Sequence, residues 1–232
     1  MKKIITAIAF IALTTVSAKA IDFGGFSVTA GLGQNLSVWG ARGVEQEFDE
    51  TGASPETNRE HGVFADEYAS YFAEIGIGQY VSLGYNMASD PIKTPSNVTN
   101  EGATTQQATV QVDFNDLETQ YIKINIPGGM FVKYGAVAVD IKVNETMLSG
   151  SSYADRSTEG TSMGLGYQGT VGDSGLGYRF ETNYIELDNV TTDNGVTIAG
   201  SSAANGGRNQ IDISNMEGVT AMFAITYTLG RN

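Results

Sequence analysis

The chain has 232 residues, with 29 glycines, 11 tyrosines and 10 phenylalanines but one histidine, four prolines and no cysteine. The missing cysteines exclude a disulfide framework, a thiol catalyst and a thiolate metal site, and one histidine leaves little material for a zinc centre. Thirteen Lys and Arg against 26 Asp and Glu give a formal charge of −13, which argues against a nucleic-acid surface, because phosphate recognition requires concentrated positive charge.

The first twenty residues read as a secretory leader: a basic start at Lys2-Lys3, a short apolar run from Ile4 to Val16, and small residues at Ala18-Lys19-Ala20. The run is too short to span a membrane, and no later stretch approaches the ~20 apolar residues that a spanning helix requires. The expected division is therefore a signal peptide over 1–20 and a single exported domain over 21–232. That domain would carry ten basic and 26 acidic residues, a charge of −16.

From Ile21 onward helical spacing is scarce and period-two alternation recurs, so an all-β chain is expected. The first strand reads Val28, Ala30, Leu32 and continues through Leu36 and Val38, with a phase shift expected near Gln34. Ala69, Tyr71, Ala73, Ile75, Ile77 form the next strand, and a tight turn at Gly78-Gln79 leads into Val81, Leu83, Tyr85. A second hairpin runs from Ile122, Ile124, Ile126 through Pro127-Gly128-Gly129 to Val132, Tyr134, Ala136. A third joins Met163, Leu165, Tyr167 to Tyr178, Phe180, Tyr184 across Gly172-Asp173-Ser174-Gly175, and Val219 to Leu229 is the last of eight strands. The stretch Gln107–Leu117 also alternates, so it either lengthens the fourth strand or makes another hairpin and ten strands.

Three short turns alternate with four long polar segments, expected over 45–66, 89–107, 144–160 and 187–216. In an up-and-down sheet alternate loops emerge at opposite ends, so one end is trimmed and the other carries all the long loops. That asymmetry belongs to transmembrane β-barrels, whose periplasmic turns are short and extracellular loops long. The apolar face of every strand lacks Asp, Glu, Lys and Arg, as lipid contact demands. The alternate face holds small residues such as Gly31, Gly33, Gly76, Gly84, Gly135, Gly164 and Gly166, which suit the narrow interior of an eight-stranded barrel. Phe26, Tyr71, Tyr85, Tyr178, Tyr184 and Tyr227 near the strand ends fit aromatic girdles.

On these features the chain resembles the small Gram-negative outer-membrane β-barrel proteins of the OmpA, OmpX and opacity-protein type. The resemblance is one of architecture over nearly all of 21–232. It implies a transmembrane antiparallel barrel in the cell outer membrane, in contact with lipid and lipopolysaccharide, and inserted by the barrel-assembly machinery. That machinery reads a terminal aromatic in the family, whereas this chain closes Tyr227-Thr228-Leu229-Gly230-Arg231-Asn232.

Counting from the short turns picks out five inward charges: Glu74, Lys123, Lys133, Arg179 and Glu181. At ~3.3 Å per residue they share a depth on the order of 13 Å above the periplasmic rim, and charges of both signs in so narrow a space are expected to pair. The arrangement serves either as a structural plug or as a gate on a narrow ion path, and eight strands favour the plug.

The segment 45–67 holds Glu45, Glu47, Asp49, Glu50, Glu56, Glu60, Asp66 and Glu67 against Arg59 alone. Glu45, Glu47, Asp49 and Glu50 are a weak candidate for a hard divalent cation, but no Ca²⁺-loop spacing is present and a solvated loop is the simpler reading. Gly164-Leu165-Gly166-Tyr167-Gln168-Gly169 matches a dinucleotide fingerprint in letters but lies in a strand with no following helix. Asn97-Val98-Thr99 fits a glycosylation sequon, which carries little weight in a bacterial exported protein. His61 lies in the acidic segment with no assignable nucleophile. No enzyme activity and no cofactor are expected. The expected role is structural or surface-interacting through the loops, with a porin-like channel as the alternative.

Overall fold

The structure, a computed structural model, describes residues 25–48, 56–100, 107–146, 152–195 and 208–230. The leader expected over 1–20 lies outside the described residues, as do Asp49 and Glu50. Among the described residues there are eleven strands: β1 (Phe26–Glu47), β2 (Glu56–Ile77), β3 (Val81–Ala88), β4 (Ile92–Lys93), β5 (Asn97–Asn100), β6 (Gln107–Asn125), β7 (Met130–Thr146), β8 (Arg156–Thr170), β9 (Leu176–Leu187), β10 (Val190–Asp193) and β11 (Asn209–Leu229).

Eight of them close a ring in the order β1-β2-β3-β6-β7-β8-β9-β11, every neighbour antiparallel and the seam sealed by β1 against β11. Closure removes the free sheet edges that a bilayer cannot tolerate. The short strands β4 and β5 continue the path of β3 along β6, and β10 continues that of β9 along β11. Gln107–Leu117 is thus the outer part of β6, and the ring has eight strands.

In the segments expected as long loops, most of the described residues are strand. β1 runs to Glu47 and β2 starts at Glu56, paired residue by residue from Phe26↔Ile77 to Glu47↔Glu56, so most of 45–66 is a β-ribbon. Polar residues on both faces hide the alternation there, because above the bilayer the outward face meets water. The phase shift expected near Gln34 does not occur: β1 pairs regularly through that point. The irregularities lie elsewhere, where Asn215-Met216 of β11 stand against Ala41 and where Asp116-Leu117 of β6 stand against Val139. Asn215 and Asp116 take positive φ of 52° and 51°, a conformation that Asn and Asp tolerate better than most residues.

Alternation divides the wall into two faces. Leu32, Ile75, Leu83, Ile122, Tyr134, Leu165, Phe180 and Ile225 all point outward and are exposed. On β11 the outward face is uncharged from Val219 to Leu229 and meets its first charge at Glu217. That span is about 33 Å of strand, or about 25 Å of height at a tilt of ~40°, the thickness of the apolar band of a membrane barrel. Above it the polarity inverts: on β7, Asp140 and Lys142 face outward while Val137, Val139 and Ile141 are buried inside.

Candidate functional site in the barrel interior

The interior is layered. At the short-turn end lies a cavity of about 300 Å³ lined by Ser27, Thr29, Ser82, Asn125, Thr226 and Thr228, and closed above by Glu74, Lys123 and Gln168. Next come the five charges picked out by parity, Glu74, Lys123, Lys133, Arg179 and Glu181, each at most 6 % exposed.

Register explains their meeting. Lys123 stands opposite Lys133 across β6 and β7, a repulsive cross-strand pair, so each ammonium turns to its own carboxylate. Lys123 Nζ lies 2.5 Å from Glu74 Oε2, and Lys133 is paired with Glu181. Arg179 forks onto Glu74, with Nη1 to Oε1 at 2.8 Å and Nη2 to Oε2 at 2.7 Å, the bidentate geometry that makes a charged pair strong. Its other acid contact is longer, Nη1 to Glu181 Oε2 at 3.8 Å.

Several partners go beyond the five residues read from the sequence. Tyr121 donates its hydroxyl to Glu74 Oε1 at 2.8 Å, so the Glu74 carboxylate accepts four hydrogen bonds. Gln168 Oε1 accepts from Lys123 Nζ and Arg179 Nη2, both at 3.0 Å, and its amide donates to Asn125 Oδ1 at 3.2 Å. Aromatic faces complete the layer: Arg179 lies 4.3 Å from the Phe72 ring centroid and 5.1 Å from that of Phe131, and Lys133 Nζ lies 4.5 Å from that of Tyr121.

These rings are inside, on the same parity as the charges, whereas Phe26, Tyr71 and Tyr184 are exposed on the outward face. The inward glycines make room for the inner rings. A Cβ on Gly31 would come 2.2 Å from Phe72 Cζ, one on Gly84 2.3 Å from Tyr121 Cζ, and one on Gly166 2.4 Å from Phe131 Cζ.

Above the charges, Asn35 Nδ2 donates to Ser70 Oγ at 2.9 Å and Asn183 Nδ2 to Thr220 Oγ1 at 3.2 Å. Higher still Trp39, Tyr68, Leu117, Val137, Ile185 and Met216 form a buried apolar cluster. The two bulges shape this cluster: beyond them Phe114 and Ile213 pack against it although their parity matches outward residues lower on the same strands. Phe114 stacks with Trp39 at 6.0 Å and with Phe64 at 6.2 Å, tying β6 to β1 and β2.

Of the candidate cation ligands Glu45, Glu47, Asp49 and Glu50, the last two lie outside the described residues. Among the described residues no group of three or more His, Cys, Asp or Glu is arranged to hold one. Glu45 instead accepts hydrogen bonds from the Tyr153 hydroxyl at 3.2 Å and Asn209 Nδ2 at 3.4 Å at the long-loop end. His61 sits opposite Arg42 on the outer part of β2, about 43 Å of strand from Glu74.

No family model matches the chain, and no curated protein matches it. Solved structures do. The outer membrane protein OprG from Pseudomonas aeruginosa superposes with a TM-score of 0.52 and 11 % identity over 86 % of this chain and 97 % of that one. The outer membrane protein AlkL, determined in lipid bilayers, gives 0.51 and 9 % over 91 % and 93 %. The outer membrane protease OmpT from Escherichia coli gives 0.44 and 9 % over 92 % and 100 %. The chain has the fold of the small Gram-negative outer-membrane β-barrels, and its apolar belt places it in the outer membrane.

Proposed function

We propose that this protein is a closed outer-membrane barrel whose function lies at the cell surface: the wall anchors it in lipid, the interior is a structural plug, and the loops meet surface partners. The observation that carries the reading is the stack of three differently built interior layers. A solute would have to break the Arg179–Glu74 fork, then pass the Asn35 and Asn183 layer, then displace the Trp39 cluster. The ribbon of β1 and β2 continues about nine residues beyond Val38, which raises the chain ends at 48 and 56 well above the bilayer. That height suits contact with other cells, with phage or with lipopolysaccharide.

The same geometry favours a non-enzymatic role. The buried charges are committed to one another, and the one histidine is far from them. The alternative, a porin-like channel, draws on the cavity open at the short-turn end. Liposome swelling separates the two. Vesicles carrying the refolded barrel should swell no faster in sugars, amino acids or small salts than empty vesicles, and solute-dependent swelling would transfer the function to transport.

A further inference from the structure

We propose that the cavity at the short-turn end is a binding site for a small monovalent anion, a carboxylate or a halide, held by Lys123. The inference goes beyond the closed-barrel reading and holds whether or not the barrel conducts.

It starts from charge. Among the described residues, the buried charged side chains are Lys123, Lys133, Arg179, Glu74 and Glu181, three cations and two anions. The layer therefore carries one positive charge in excess, inside a membrane wall where an uncompensated charge is costly. Lys133 is matched by Glu181 and Arg179 by Glu74, through a fork that uses both carboxylate oxygens. The cation left to share an acid already taken is Lys123.

Lys123 is also the cation placed to receive a counter-ion. It lines the cavity, and among the described residues the only other charged one there is Glu74, whose oxygens already accept from Arg179, Tyr121 and Lys123. An ammonium has three donors; Glu74 and Gln168 take two. Among the described residues no third hydrogen bond to this ammonium is made; the Phe131 ring centroid lies 5.3 Å from it, and apart from Glu74 and Lys123 itself the polar side chains lining the cavity are hydroxyls and amides. Ser82 stands directly opposite Lys123 in the β3–β6 register and is 5 % exposed. A space of about 300 Å³ holds a halide with water or a carboxylate of a few carbons, and its opening at the short turns gives access from the periplasm.

The test is chloride binding to the refolded barrel in zwitterionic detergent, read by chloride-35 NMR line broadening at constant ionic strength and competed with acetate. Saturable broadening that acetate displaces is expected; acetate effective well below the chloride concentration would identify the site as one for carboxylates, and acetate only at higher concentration as one for halides. Lys123→Met should weaken binding about tenfold or more, the loss of a charge-assisted hydrogen bond, and Ser82→Val, which leaves every charge in place, about threefold. Gel mobility of unheated samples establishes that each variant is folded, and if Lys123→Met does not fold, Ser82→Val decides. Broadening that fails to saturate, or that saturates at the wild-type concentration in the folded variants, overturns the proposal.

Discussion

Glu74→Gln probes the interior most sharply, because it alters charge with little change of shape. In the wild type the carboxylate accepts from Arg179 twice, from Lys123 and from Tyr121, all within 2.8 Å. An amide keeps one acceptor oxygen and replaces the other with a donor, which then faces Lys123 Nζ or an Arg179 Nη. The layer goes from three cations against two anions to three against one. Leaving a buried cation without its partner costs about 3–5 kcal/mol. Arg179→Ala makes the useful contrast. It loses three charge-assisted hydrogen bonds, two to Glu74 and one to Gln168, and the stacking on Phe72, but leaves two cations facing two anions and Glu74 still bonded to Lys123 and Tyr121, so its cost should be about 2–3 kcal/mol. Trp39, the only tryptophan and 4 % exposed, reports unfolding from inside the barrel. Urea titration in detergent, followed by its fluorescence and by gel mobility, gives both values. A Glu74→Gln barrel within about 1 kcal/mol of wild type, a tenth of the stability of many domains, would refute the reasoning, and so would an Arg179→Ala barrel less stable than Glu74→Gln.

Other substitutions read other layers. Gly84→Val places a side chain where the Tyr121 ring lies, and because that ring is tethered through its hydroxyl to Glu74, it should lower stability by about 1–3 kcal/mol, measured by the same titration. Phe180→Arg in the middle of the belt should cost about 2–4 kcal/mol in lipid vesicles, whereas Glu186→Arg, on the same face of β9 but above the belt, should cost about 0–1 kcal/mol. Equal costs would move the membrane boundary. Phe114→Ala removes the ring that stacks with both Trp39 and Phe64 and should cost about 3–5 kcal/mol with a red shift of Trp39 emission. An unshifted spectrum would put Trp39 outside that cluster.

Which face each residue takes was legible wherever lipid imposes a clear contrast. On β11, Val219 to Leu229 alternate without interruption, and the exposed set follows them. The contrast fades above the membrane, where both surfaces of a strand can be polar, so 45–47 and 56–66 look like loop although they are paired strand. The bulges are a second blind spot. Phe114 and Ile122 share parity, yet the extra residue at Asp116-Leu117 puts Phe114 inside and Ile122 outside. Asp116 and Asn215 are ordinary-looking letters, and nothing local announces their positive φ.

The interior layer is legible to a similar limit. Parity and distance from the turns bring Glu74, Lys123, Lys133, Arg179 and Glu181 to one depth, and by the same count Tyr121 and Gln168 belong beside them. Which carboxylate each cation takes depends on pairing across the ring, which parity does not contain. Phe72, Tyr121 and Phe131 share the parity of the charges and so belong inside with them, but parity does not say which ring lies over which inward glycine. The pairs Gly31 with Phe72 and Gly84 with Tyr121 become visible only once β1 is set against β2 and β3 against β6.

The claim that the interior is closed is tested most directly by single-channel recording of the refolded barrel in planar bilayers over a range of salt concentrations. The account predicts traces indistinguishable from the protein-free bilayer for the wild type. Regular current steps that scale with salt would contradict it, and would show that the layers at Arg179, Asn183 and Trp39 part to admit ions.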